Sequence, residues 1–70
     1  TPTVLGNLIY QATEQYAVGD YDDSARTWEE VLKYNGNYDL AYIGLGKSYL
    51  RQDRFKEAMD CFELKKDRKY

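Results

Sequence analysis

Apolar side chains recur along this chain in steps of three and four, the spacing that lines one side of a helix, and almost nowhere alternate as a strand requires. A first segment carries Val4, Leu5, Leu8, Ile9, Ala12 and Tyr16 and stops at Gly19. A second carries Tyr21, Ser24, Ala25, Trp28, Val31 and Leu32 and ends before Asn35, Gly36 and Asn37, residues that tolerate positive φ and so predict a turn. The third runs through Leu40, Ala41, Ile43, Leu45, Gly46, Tyr49 and Leu50, and the fourth through Phe55, Ala58, Met59 and Phe62. Asp20 is the expected N-cap of the second helix, its carboxylate taking an orphan amide proton, with Asp22 and Asp23 favoured by the dipole beside it. Helices joined so briefly must lie antiparallel to their neighbours. The pattern therefore predicts an all-α chain of two helix-turn-helix hairpins.

The hairpins repeat. The stretch "GDYDDSARTWEE" opens at Gly19 and "DRFKEAMDCFEL" opens at Asp53, 34 positions later. The same shift sets Tyr21 against Phe55, Asp23 against Glu57, Ser24 against Ala58, Trp28 against Phe62, Ile9 against Ile43 and Ala12 against Gly46. A small residue at Ala12 or Gly46 lets the following helix approach closely, while an aromatic at Trp28 or Phe62 fills the groove beside it. With that period and order of small and aromatic positions, the chain resembles two tandem tetratricopeptide repeats. The likeness is strongest in "AYIGLGKSYLRQDRFKEAMDCF", where Tyr42, Leu45, Gly46, Tyr49, Phe55, Ala58 and Phe62 follow the family's order of large, small and aromatic residues. It is weaker in the first helix, where Gln11 and Gln15 replace large residues and Tyr16 falls one place late, and Gly36 stands where a proline usually closes the repeat. The resemblance implies one domain over residues 1–70, with repeats at about 5–38 and 39–70, stacked as a short right-handed superhelix. The wording of "YAVGDYDDSARTWEEVLKYNGNYDLAYIGLGKSYL" is also similar to the tetratricopeptide segment of bacterial multidomain membrane proteins that carry an NHL β-propeller and a Yip1-like membrane region.

Composition changes the picture in a few places. At 70 residues with 43% hydrophobic and 31% charged content, the chain is one small globular domain whose thin core relies on regular helix packing. Cys61 is the single cysteine, so no internal disulfide staples the fold, which leans toward a reducing compartment and a cytoplasmic location, beside a membrane if the second likeness holds. No apolar run is long enough for a membrane span, and no signal-peptide pattern is read at the start. The opening on Thr1 without an initiator methionine is what a domain cut from a longer protein would show. Acidic residues dominate early and basic ones late, but Lys56, Lys65, Lys66, Arg68 and Lys69 alternate with Asp53, Glu57, Asp60, Glu63 and Asp67. That is a solvated helix face with ion pairs at i,i+3 and i,i+4, not the basic platform that nucleic acid requires.

The inventory for catalysis is poor. Histidine is absent, and neither a phosphate loop nor a nucleophile elbow occurs. Asp60 and Glu63 beside Cys61 would raise its pKa, the wrong direction for a nucleophile. The Asp cluster does not complete a calcium loop, so no metal or cofactor is expected. Trp28 and the eight tyrosines fit core positions better than a ligand box.

What the resemblance implies is protein recognition. The first helix of each repeat lines a concave groove for a peptide or helix, which by register puts Ile9, Thr13 and Tyr16 with Ile43, Lys47 and Leu50 in the groove, and Arg51 beside Lys47 for an acidic partner group. A terminal-carboxylate clamp is not expected, because Ile9, Thr13 and Ile43 stand where its cations would be. The competing reading is an architectural spacer or self-assembly segment. Nothing in the sequence covers the last hairpin, so Met59 and Phe62 are expected to leave an apolar edge that self-associates, by end packing or by hairpin exchange through a turn weakened by Asp53 and Arg54.

Overall fold

The computed structural model describes residues 3–36 and 38–67. Four helices follow in order, α1 (Val4–Ala17), α2 (Tyr21–Tyr34), α3 (Asp39–Arg51) and α4 (Phe55–Asp67), with no strand among the described residues. Each packs on its neighbours in the chain, α1 also touches α3, and α4 rests on α3 alone. The body measures 35 × 32 × 14 Å, a slab thin enough that every helix keeps a face in solvent.

The internal repeat is written in the backbone. At the first hairpin the Gly19 N–H donates to the Tyr16 carbonyl (3.1 Å) and the Asp20 N–H to that of Gln15 (2.8 Å). At the second, the Asp53 N–H donates to Leu50 (3.1 Å) and the Arg54 N–H to Tyr49 (2.9 Å), the same two bonds displaced by one repeat. This nested pair closes a helix only when the residue after its cap is left-handed. Gly19 (φ 93°) and Asp53 (φ 62°) are accordingly the left-handed positions among the described residues. Glycine has no Cβ to resist that geometry, whereas Asp53 holds it at a cost of about 1 kcal/mol.

Three local expectations give way. The Asp20 carboxylate makes no capping bond, and at ψ 66° the residue lacks the extended backbone that aims an N-cap side chain at the helix end. Its backbone is already committed, the N–H to α1 and the carbonyl to the Ser24 N–H (2.9 Å). The side-chain cap is instead Thr3, whose Oγ1 accepts from the Gly6 N–H at 2.9 Å. The turn after α2 also differs from the positive-φ reading: Asn35 is extended (φ −148°) and its N–H closes the helix on Val31. Tyr38 N–H then donates to the Asn35 carbonyl at 3.2 Å, and the Tyr42 hydroxyl ties down the Gly36 carbonyl; Asn37 lies outside the described residues. The third concerns Arg54, which is no mere missing cap. Its guanidinium grips Glu57 with two bonds (2.8 and 2.6 Å) and sits 4.5 Å from the centre of the Tyr49 ring.

Small side chains make the core. Ala12, Ala25, Ala41, Ala58 and Cys61 are buried alongside Trp28, Val31, Leu45 and Tyr49. Phe62 packs on Gly46 within its own hairpin, where an added Cβ would come within 2.5 Å of its ring. Trp28 is not the counterpart of Phe62 in this respect. Its ring lies on Gly44, across the boundary between hairpins, where an added Cβ would land inside the indole. The same boundary is tied by a buried polar chain in which the Ser48 hydroxyl donates to Ser24 Oγ (3.3 Å), and Ser24 donates to the Ala12 carbonyl (2.8 Å).

Trp28, 5% exposed, is expected to contribute about 3–5 kcal/mol, so Trp28→Ala should remove most of the cooperative denaturant transition. Gly44→Ala should lower the melting temperature by unseating the same ring, while Gly36→Ala, whose new Cβ meets only the Leu32 carbonyl at 3.8 Å, should leave it nearly unchanged. A cooperative Trp28→Ala transition at the parental midpoint would place the ring on the surface. Asp53→Gly relieves the left-handed turn and should stabilise by about 1 kcal/mol, read as a raised denaturant midpoint at constant slope; an unchanged midpoint would mean that the turn stores no strain.

Candidate binding site on helices α1 and α3

Two of the depressions on the described surface carry basic side chains, and they differ in how far those charges are already satisfied. The first, about 210 Å³, is bounded by Asp22, Ala25, Arg26, Glu29, Tyr49 and Arg54. Arg26 bridges Asp22 (2.8 Å) and Asp23 (3.3 Å), Arg54 is held by Glu57, and the Tyr49 hydroxyl donates to Glu29 Oε2 at 3.0 Å. Every charge in it except that of Glu29, which accepts from Tyr49, faces an opposite one. Burial, and then the bond to the Glu29 carboxylate, push the Tyr49 hydroxyl up to about 12 from 10.0.

The second depression, about 440 Å³ and open, is bounded by Tyr16 of α1 and by Lys47, Leu50 and Arg51 of α3. One turn of α3 separates Lys47 from Arg51, which puts both cations on one side of the helix. Arg51 Nε donates to the Tyr16 hydroxyl at 3.0 Å, and its guanidinium lies about 6 Å from the centres of the Tyr16 and Tyr21 rings. Those rings meet edge to face at 5.2 Å. Arg26 and Arg54 are paired with Asp22, Asp23 and Glu57, whereas neither Lys47 nor Arg51 meets a carboxylate among the described residues. Donating to the Tyr16 hydroxyl raises the Arg51 pKa further, keeping the cation charged.

Of the groove residues expected by register, the structure brings Tyr16, Lys47, Leu50 and Arg51 together. Ile9 is half-buried and packs against the core, and Ile43 is half-buried too. Thr13 is exposed, but its hydroxyl donates back to the Ile9 carbonyl at 2.9 Å. The assembled patch is thus cationic, with Leu50 at 39% exposure and the Tyr16 ring as its apolar members, a narrower set than the mixed one that register suggests. Tyr21 joins it unannounced by the sequence pattern, where it counts as one residue of the α2 stripe; only the chain reversal at Gly19 brings it back to Tyr16.

Elsewhere, Met59 is 55% exposed and Phe62 half-buried on Gly46, with Phe55, 58% exposed, extending the same strip. Cys61 is buried, and its thiol is pushed up first by that burial and then by Asp60, Glu29 and Glu57; Glu63 plays no part. No helix among the described residues is long and apolar enough to cross a membrane. Set against known protein families, characterised proteins and solved structures, the chain matches none.

The raised Tyr49 pKa makes stability depend on alkali. Below pH 10 the hydroxyl is neutral in both states and its contribution is complete; as pH climbs toward 12 the unfolded chain loses the proton first and that contribution drains away. Thermal melts in this window should show a steep fall that Tyr49→Phe flattens; equal slopes for the two proteins would place the titration elsewhere.

Proposed function

We propose that this chain is a two-repeat scaffold of the tetratricopeptide kind that binds a protein segment across α1 and α3, the segment presenting an acidic side chain next to an apolar one. The observation that carries the reading is the meeting of Lys47 and Arg51, without acidic partners, with Leu50 and the Tyr16 ring in one open depression. The hairpin turns repeated at a fixed displacement support the scaffold half of the proposal. The bond from Arg51 Nε to the Tyr16 hydroxyl fixes the guanidinium and leaves its two terminal amino groups to take a carboxylate end-on. Leu50 and the ring edge supply the apolar contact that sets affinity, while the two cations set approach and orientation.

The test is an amide-shift titration with short synthetic peptides in which glutamate and leucine neighbour each other. Shifts should gather on α1 and α3, and Leu50→Ala or Tyr16→Ala should weaken binding by about 1–3 kcal/mol. Arg51→Gln should weaken it together with its salt dependence. Shifts confined to α2 and α4 would overturn the site. Binding that ignores Leu50→Ala and vanishes with salt would reduce it to a charged surface.

A further inference from the structure

The outer face of α4 carries an unmatched seam. Phe55, Met59 and Phe62 follow one another at spacings of four and three, the seam rhythm of paired helices. Their counterparts one repeat earlier are Tyr21, Ala25 and Trp28 on α2, the face that α3 covers: Ala25 is 3% and Trp28 5% exposed, against 55% for Met59 and 58% for Phe55. The fold therefore builds the same face twice, covers it fully on α2, and on α4 leaves Phe55 and Met59 in solvent beside a half-buried Phe62.

A second copy cannot cover it by continuing the stack. Trp28 reaches α3 because Gly44 leaves room there, and on α1 that place is held by Tyr10. Tyr10 stands 68% exposed, so α1 offers a bulky ring where the seat is required. The flank of the α4 seam points to another arrangement. Lys56 and Glu63, both exposed, lie one heptad apart on the same side of it. In an antiparallel pair of identical helices, residues on the same flank face one another, so Lys56 of each copy meets Glu63 of the other twice about a two-fold axis. The same register lays Met59 of each copy against Phe62 of the other. A parallel pair would face these charges with neither opposite sign.

We propose that α4 is a homodimerisation helix, pairing antiparallel with α4 of a second copy through Phe55, Met59 and Phe62, with the register set by reciprocal Lys56–Glu63 ion pairs. The interface is small and the dimer correspondingly weak. It is independent of the binding proposed for α1 and α3, since no α4 residue bounds that depression and the dimer is read without any peptide.

Sedimentation equilibrium of the chain across a wide concentration range tests it. The mass should rise from 8.2 kDa to twice that value and stop. Met59→Glu should keep it monomeric with an unchanged helical spectrum. Lys56→Glu or Glu63→Lys alone should lower the association constant severalfold, whereas the two together should restore it, because the swapped charges still pair. A monomer at every concentration, a mass that climbs past the dimer, or indifference to the charge exchange each overturns the proposal. So does loss of the dimer on Asp53→Gly, which would show that the copies exchange hairpins by straightening the α3–α4 turn instead.

Discussion

A tryptophan ring resting on a helix that has no side chain beneath it holds the two hairpins in one body. Each hairpin has its own turn and its own pair of helices, but neither buries enough apolar surface to be stable alone. Trp28 on Gly44 supplies an aromatic contact across the boundary, and it exists only because α3 offers bare backbone there. The buried hydroxyls of Ser24 and Ser48 then fix how α2 slides along α3. Sliding by one turn would leave the Ser48 hydroxyl in apolar surroundings without that partner, at a cost of about 1–3 kcal/mol, while Ser24 would keep its bond to the Ala12 carbonyl. Aromatic contact gives the seam its strength, and the hydroxyl chain gives it one register.

From that seam the binding surface follows. Fixing α3 against α2 also sets α3 beside α1, since α1 and α2 are locked by their own turn and by the Ser24 bond to the Ala12 carbonyl. Arg51 can therefore reach the Tyr16 hydroxyl, a contact across 35 positions of sequence that neither helix specifies by itself. A change at Gly44 would thus be felt at Arg51, although no side chain connects the two directly.

Four helices, their order and the repeat were legible because periodicity and turn chemistry are local properties, and the Gly19 turn shows why. A residue without a Cβ, placed just past a stripe of apolar positions, has one economical use, and the structure puts it to that use. The left-handed Asp53 was not legible, since aspartate does not announce that geometry and its replacement of glycine suggested only a weaker turn. What local pattern could not reveal was which of two neighbouring small residues receives which ring. Gly44 and Gly46 both invite close approach, and the division between Trp28 and Phe62 depends on the angle at which hairpins stack. The site shows the same limit. Register placed Tyr16, Lys47, Leu50 and Arg51 on the right helices, but Ile9 and Ile43 sit partly turned into the body, and Tyr21 arrives from the next helix.

Comparing the two repeats position by position separates what the fold needs from what it does not. Ala12 and Gly46 are both small and both buried, Ser24 and Ala58 are both wholly enclosed, and Gly19 and Asp53 share one backbone conformation. At these places chemistry is constrained by packing, so the repeats agree in size or shape. Lys47 stands where the first repeat has Thr13, Arg51 where it has Ala17, Met59 where it has Ala25, and Lys56 where it has Asp22. Helix packing asks for none of these exchanges: each of the four second-repeat residues is exposed, and no buried partner requires its charge or bulk. They form two groups, the cations beside Leu50 on α3 and the seam with its flank on α4. These four departures from repetition thus fall on two solvent faces, where a side chain can serve a partner at no expense to the core.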